Sequence, residues 1–157
     1  MKKIVYLSSI VLVAVFGFTT IQTQDNCDKK AITTSCKKKL EPFKYDSQKF
    51  TKINFTKKAQ DLEVEVPVFV GEKYRVVFNT SGLPKPIDIN IYTKDKESKK
   101  REAVYTVKDV KPGGETEFVF DAPRLRKMFI DYSVPADSTA SPTQKLSGCV
   151  AFMVGYK

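Results

Sequence analysis

The chain has 157 residues, with 27 lysines and arginines against 18 acidic residues, a formal charge of +9, and neither histidine nor tryptophan. Without imidazole, Ser-His-Asp and Cys-His catalysis, His-bearing zinc sites and imidazole acid–base chemistry are excluded. The basic balance admits anionic partners, but the lysines are scattered rather than gathered with interleaved aromatics, so they read as solubility devices and no nucleic-acid partner is expected.

Lys2 and Lys3 precede an apolar run from Ile4 to Phe18, and small or polar residues follow from Thr19 to Gln24. This is the three-part pattern of a secretory leader, and the run is short for a membrane span. Residues 1–22 are therefore expected to form a cleavable signal peptide, and the mature chain to be periplasmic or secreted; a retained N-terminal anchor is the alternative. Loss of the leader takes the charge from +9 to +7. It leaves about 135 residues, enough for one domain with one core. Cys27 follows "QDN" rather than a small-residue lipobox, so lipidation is not expected.

Residues 23–48 hold the one helical candidate. Ile32, Cys36, Leu40 and Phe43 recur at helical spacing, Asp28 is placed to cap the start, and Lys37, Lys38 and Lys39 sit near the end before Pro42. So short a helix must pack on something to persist. From residue 49 to 157 the pattern has period two. A short piece lies near Phe50 to Phe55. "DLEVEVPVFV" then sets Leu62, Val64, Val66, Val68 and Val70 against Asp61, Glu63 and Glu65, with Pro67 marking an edge or a bulge. "KYRVVFN" follows. "PIDINIYT" turns Ile87, Ile89 and Ile91 inward and Asp88, Asn90 and Tyr92 outward. "EAVYTV", a "KPGGE" turn, "TEFVFD", "KMFIDYSV" and "CVAFMVGY" complete seven or eight strands, while "PADSTASPTQKLSG" reads as an exposed, mobile connection. Regular short strands without a βαβ rhythm point to a mainly β fold, an antiparallel sandwich of jelly-roll type with one short N-terminal helix.

The succession "VPVFVGEKYRVVFNTSG", "IDINIY", "FVFDAP", "MFIDYSV" and "VAFMVGY" resembles two small β-sandwich families, the GOLD-type domain of secretory cargo factors and the bacterial pre-peptidase C-terminal domain. It also resembles secreted bacterial β-sandwich proteins of uncharacterised function. The likeness spans Asp61 to Tyr156 and lies in strand rhythm. It implies a sandwich fold and an exported location, and it brings no catalytic constellation, so no active-site residue carries over. Where the pre-peptidase type ends in a Gly-x-Tyr-x-hydrophobic pattern, this chain has "GCVAFMVGY".

No cofactor is implied: the three cysteines form no C-x-x-C pair and no phosphate-binding glycine motif is present. Carboxylate chemistry remains open, because Asp88, Asp121 and Asp131 could meet on one face as a glycosidase pair. Asp88, Asn90 and Asp131 also offer oxygens of the kind calcium takes. The ligand face expected first is Asp88, Asn90, Tyr92 and Asp131, an arrangement of acids, amide and aromatic suited to a glycan. Tyr105 and Tyr132 are either further platforms or core residues with their hydroxyls at the rim. Arg124, Arg126 and Lys127, with the charged loop from Lys94 to Arg101, form a candidate basic patch for an anionic partner, with loop solvation as the plain reading. Asn54 and Asn79 open N-glycosylation sequons, and Asp137 to Thr139 spell a bacterial O-glycosylation tripeptide. The reading reached is an exported non-enzymatic binding or envelope-associated accessory protein, with a glycan or an envelope protein as partner. A carboxylate-dependent glycan hydrolase and a purely structural envelope component are the alternatives.

The terminal "GCVAFMVGY" is apolar on both faces. Val150, Phe152, Val154 and Tyr156 are expected to fill the sandwich, and Cys149, Ala151, Met153 and Gly155 to lie beneath the helix. The expected disulfide is Cys36 to Cys149, whose closure constrains the unfolded chain by about 4–5 kcal/mol, against about 2.5–3 for a local Cys27–Cys36 link. Cys27 is then the spare thiol, able to pair with another molecule; the local pair, no bond, or an intermolecular bond are the alternatives.

Overall fold

A computed structural model describes residues 27–110, 116–122, 124–141 and 146–157. The leader expected at 1–22, the "KPGGE" turn at 111–115 and part of the connection before the last strand lie outside the described residues.

Helix α1 (Lys29–Leu40) forms where the stripe predicts it: the Asp28 carboxylate accepts a hydrogen bond from the Ala31 N–H at 3.0 Å, and Lys37, Lys38 and Lys39 occupy the last turn. Eight strands follow, β1 (Lys44–Phe55), β2 (Gln60–Val66), β3 (Tyr74–Asn79), β4 (Ile87–Tyr92), β5 (Ala103–Val110), β6 (Glu117–Ala122), β7 (Met128–Val134) and β8 (Leu146–Tyr156). They make two antiparallel sheets, ordered β1-β8-β3-β6 and β2-β7-β4-β5. Each strand pairs with the one equally distant from the β4–β5 connection: β4 with β5, β3 with β6, β2 with β7 and β1 with β8. The chain is thus one long hairpin rolled into two layers, the jelly-roll form of the sandwich. β1 starts at Lys44, five residues ahead of the boundary read at residue 49, because its first half is edge strand with little apolar content. β2 ends at Val66, on the edge of its sheet, so Pro67 interrupts no ladder and Val70 stands exposed instead of continuing the inner face.

Two apolar layers result. Between the sheets lie Ile53, Val64, Val76, Phe78, Ile89, Ile130, Tyr132, Val150, Phe152 and Val154, among others. Outside the first sheet, Ile32, Cys36 and Leu40 of α1 cover Val77, Cys149, Ala151 and Met153. The two-sided apolar character of β8 is explained by this arrangement, one face toward the other sheet and one toward the helix. Tyr156, at the strand end, is 37% exposed and stays out of the core. Gly155 marks where the helix end comes close to β8: a Cβ there would stand 2.7 Å from the Lys44 carbonyl oxygen and 2.9 Å from Leu40 Cδ1. No helix among the described residues is long and apolar enough to cross a membrane.

The disulfide corrects the expected pairing. Cys27 bonds to Cys149, with Cα atoms 5.7 Å apart, and Cys36 is the buried free thiol. The helix lies over β8 as expected, but the stripe fixes a face and not an axial position. The start of α1 sits over Cys149 and its end over Gly155. Cys36, nine residues past Cys27, lies about 13 Å further down the axis, among Val77 and Met153. Burial, helped by the charge of Glu117, raises the Cys36 thiol to about 11, so it stays protonated and unreactive at neutral pH.

Candidate functional site

Alternation along β4 and β7 turns one set of side chains outward from the second sheet. Register then fixes their neighbours: Asn90 lies opposite Asp131, which lies opposite Glu63, while Tyr92 faces Phe129 and Asp88 faces Ser133. Asp88, Asn90, Tyr92 and Asp131 therefore share one face, as the pattern implies.

That face is occupied from within. Arg101, from the connection between β4 and β5, lays its guanidinium across it. Nη1 donates to Asp131 Oδ2 at 2.6 Å, Nη2 to Asp131 Oδ1 at 3.1 Å and to Glu63 Oε2 at 2.5 Å, and Nε to the Lys94 carbonyl at 2.8 Å. Its central carbon stands 3.7 Å from the Tyr92 ring centroid. The planar fork is suited to two carboxylates and an aromatic face at once. Only 13% of the Arg101 side chain is exposed, with 16% of Glu63 and 12% of Asp131. The remaining face residues are also engaged: Asn90 Oδ1 accepts from the Thr106 hydroxyl at 2.8 Å, and Asp88 Oδ1 from the Asp109 N–H at 2.7 Å. Asp88 borders a shallow cleft of about 340 Å³ with Asp61 and Ser133. A guanidinium stands at Asp131, where a calcium ion would need that carboxylate.

Asp121 does not join this group. It is on β6 of the other sheet, bound by Arg75 through Nε at 2.6 Å and Nη2 at 2.8 Å, which holds its carboxyl below the usual range. Arg75 Nη1 also donates to the Lys39 and Glu41 carbonyls at 3.3 and 2.7 Å, and its guanidinium covers the Phe43 ring. Arg75 thus fastens the end of α1 to the first sheet. Tyr132 is fully buried, and Tyr105 packs on the core with its ring 4.8 Å from that of Phe120. Tyr132 is a core residue whose hydroxyl is buried instead of lying at the rim, and Tyr105 is half-buried at the core's margin.

Arg124, Arg126 and Lys127 are exposed around the buried Leu125. Asn79 is buried and hydrogen-bonded to Glu117 and Ser81, whereas Asn54 is exposed. The segment at 135–141, expected to be mobile, is tied down by Asp137. Its carboxylate accepts from the Thr139 N–H at 3.0 Å and hydroxyl at 2.6 Å and pairs with Lys85 at 2.7 Å, while its own N–H donates to the Thr56 carbonyl. The Thr139 hydroxyl of the O-glycosylation tripeptide is therefore already engaged.

These bonds, that with Lys85 foremost, hold the Asp137 carboxyl down at about 2, against about 3.9 in an unfolded chain. A depressed folded value contributes stability above the unfolded one, and that contribution disappears as pH falls through the folded one. Thermal unfolding should therefore show Asp137→Asn less stable than the parent at pH 6, with the gap closing between about pH 4 and pH 2. A gap that stays constant to pH 2 would leave Asp137 without this role.

Sequence reading missed both guanidinium clamps. The available signal was scarcity: only four of the 27 basic residues are arginines, and arginine is the side chain of choice for planar, two-toothed pairing. Two of the four make the clamps, and the other two stand together at Arg124 and Arg126.

No family model matches the chain, and no curated protein matches it. Among solved structures it is similar to Aeromonas hydrophila PliG, a periplasmic lysozyme inhibitor of g-type lysozyme, at 12% identity over 73% of this chain and 88% of that one, with a TM-score of 0.44.

Proposed function

We propose that the protein works outside the cytoplasm as a non-catalytic, envelope-associated binding module. The Arg101 clamp carries this reading. A glycosidase needs one carboxyl free to deliver a proton and a second free to attack or to activate water. Here Asp131 and Glu63 share one guanidinium, and Asp88 is engaged by a backbone N–H. A sugar platform needs a bare ring, and Tyr92 lies under the same guanidinium. The face is satisfied internally, so its acids serve the fold. The Cys27–Cys149 bond supports an oxidising compartment, in keeping with the leader pattern.

The test pairs a negative with a positive. Incubation of the disulfide-bonded protein with envelope polysaccharides should release no reducing ends, while washed envelope fractions should retain the protein. Turnover abolished by Asp88→Asn or Asp131→Asn would establish the hydrolase reading in its place.

A further inference from the structure

The turn between β2 and β3 exposes two adjacent apolar side chains, Phe69 at 71% and Val70 at 76%. They are displayed on a braced tip. The hydroxyl of the buried Tyr74 accepts a hydrogen bond from the Phe69 N–H at 2.7 Å, Gly71 takes a φ of 104° that favours glycine, and Lys73 exchanges backbone hydrogen bonds with Lys157. Exposure of this kind on a hydrogen-bonded turn contributes nothing to the core.

Register places a second exposed connection beside it. Val66, where β2 ends, pairs with Met128, where β7 starts, and Tyr74, where β3 starts, pairs with Ala122, where β6 ends. The β2–β3 and β6–β7 connections therefore cross between the sheets side by side at one end of the sandwich. The second carries Arg124, Arg126 and Lys127, exposed on either side of Leu125, which is anchored in the core. Among the described residues these three make no hydrogen bond or ion pair, whereas Arg75 and Arg101 are fully employed. Uncommitted arginine forks are suited to phosphate oxygens.

From an apolar tip flanked by free basic residues we infer that this end of the protein docks on an anionic phospholipid surface. Phe69 and Val70 enter the headgroup boundary while Arg124, Arg126 and Lys127 engage lipid phosphates. A bilayer accepts a convex apolar wedge without a matching groove, whereas a protein partner must present about 800 Å² of complementary surface. Stable attachment to a membrane surface takes two signals, and a shallow apolar insertion beside a polybasic patch supplies both. The inference deepens the envelope-associated reading and rests on it.

Co-sedimentation of the disulfide-bonded protein with vesicles tests it. Binding should be at least about tenfold stronger to phosphatidylglycerol–phosphatidylcholine vesicles than to phosphatidylcholine alone, and should weaken steeply from about 50 to 200 mM salt. Phe69→Ser/Val70→Ser should lose about tenfold while its thermal unfolding stays cooperative. Arg124→Gln/Arg126→Gln/Lys127→Gln should flatten the salt dependence, and Lys57→Gln/Lys58→Gln at the opposite end should leave it unchanged. Absent binding, an unaffected Phe69→Ser/Val70→Ser variant, or an equal effect of the two sets of charge changes overturns the inference. So does retention on envelope fractions that is lost when those fractions are treated with protease, which assigns the tip to a protein partner. In that last case the accessory-binding reading survives; release of reducing ends from polysaccharide ends that reading whatever the vesicles show.

Discussion

Replacement of Cys27 and Cys149 together by alanine should lower stability by about 4–5 kcal/mol, the loop-closure entropy released when a cross-link over a long segment is removed. The bridge spans 122 residues, almost the whole described chain, so the reduced unfolded state gains nearly all the freedom a disulfide can withhold. For a domain of this size the loss corresponds to a fall in Tm of about 15 °C. The enclosed position of Cys149, under the start of α1, adds a local effect: without the bond, the helix is held to the sheet by packing, the Arg75 contacts at its end and the Thr33–Gln48 side-chain hydrogen bonds. Thermal unfolding with and without reductant measures the first quantity, and loss of protection in the amides of α1 measures the second. Cys36→Ala, by contrast, should keep the bridge, and non-reducing peptide mapping should recover Cys27 joined to Cys149 in both proteins. A Tm unmoved by the double replacement would show that the cross-link constrains little.

Arg101→Ala is expected to cost about 3 kcal/mol, near the lower bound for removing one partner of a largely buried ion pair. The cost arises from what is left behind. Glu63 and Asp131 lie on adjacent strands, directly opposite one another in register, and without the guanidinium two mostly enclosed carboxylates face each other. Arg101→Lys should recover only part of the loss, because an ammonium cannot bridge both acids and cover Tyr92 in one plane. The decisive variant adds Glu63→Gln and Asp131→Asn to Arg101→Ala. If the clamp acts as argued, the triple replacement is more stable than Arg101→Ala alone, with a coupling of a few kcal/mol in the cycle. Strict additivity would mean that Arg101 contributes by packing alone.

The elements legible in the sequence are those whose apolar residues repeat with one period over a whole segment. The alternation of Ile87, Ile89 and Ile91 fixes β4, and the double alternation in "CVAFMVGY" identifies a strand covered on both faces, with α1 as its cover. β1 was less legible because only Ile53 and Phe55 of its twelve residues are buried; its length comes from pairing with β8 along most of its run. The candidate face was legible as a face, since period two sorts Asp88, Asn90, Tyr92 and Asp131 together. What lies over that face was not, because Arg101 comes from an irregular connection to which no periodicity applies. The disulfide failed for a related reason: helical spacing selects the side of α1 that meets β8 but says nothing of where along β8 each turn falls.

On the location proposed above, outside the cytoplasm, the nested pairing of strands would set an order of events for a chain exported N-terminus first. Only β4 and β5 can pair locally. β3 must wait for β6, β2 for β7, and β1 for β8, the last strand to appear. Closure therefore proceeds from the middle of the chain outward, with the large loop-closure penalties of non-local pairing. Cys27 and Cys36, nine residues apart, would then meet an oxidising compartment first, and Cys149 last. A provisional Cys27–Cys36 bond has the whole transit time in which to form, and the native bond then requires exchange onto Cys149. If the protein is exported as proposed, a thiol–disulfide isomerisation step is expected in its maturation, and a disulfide isomerase, more than an oxidase alone, should set the yield of correctly bridged molecules.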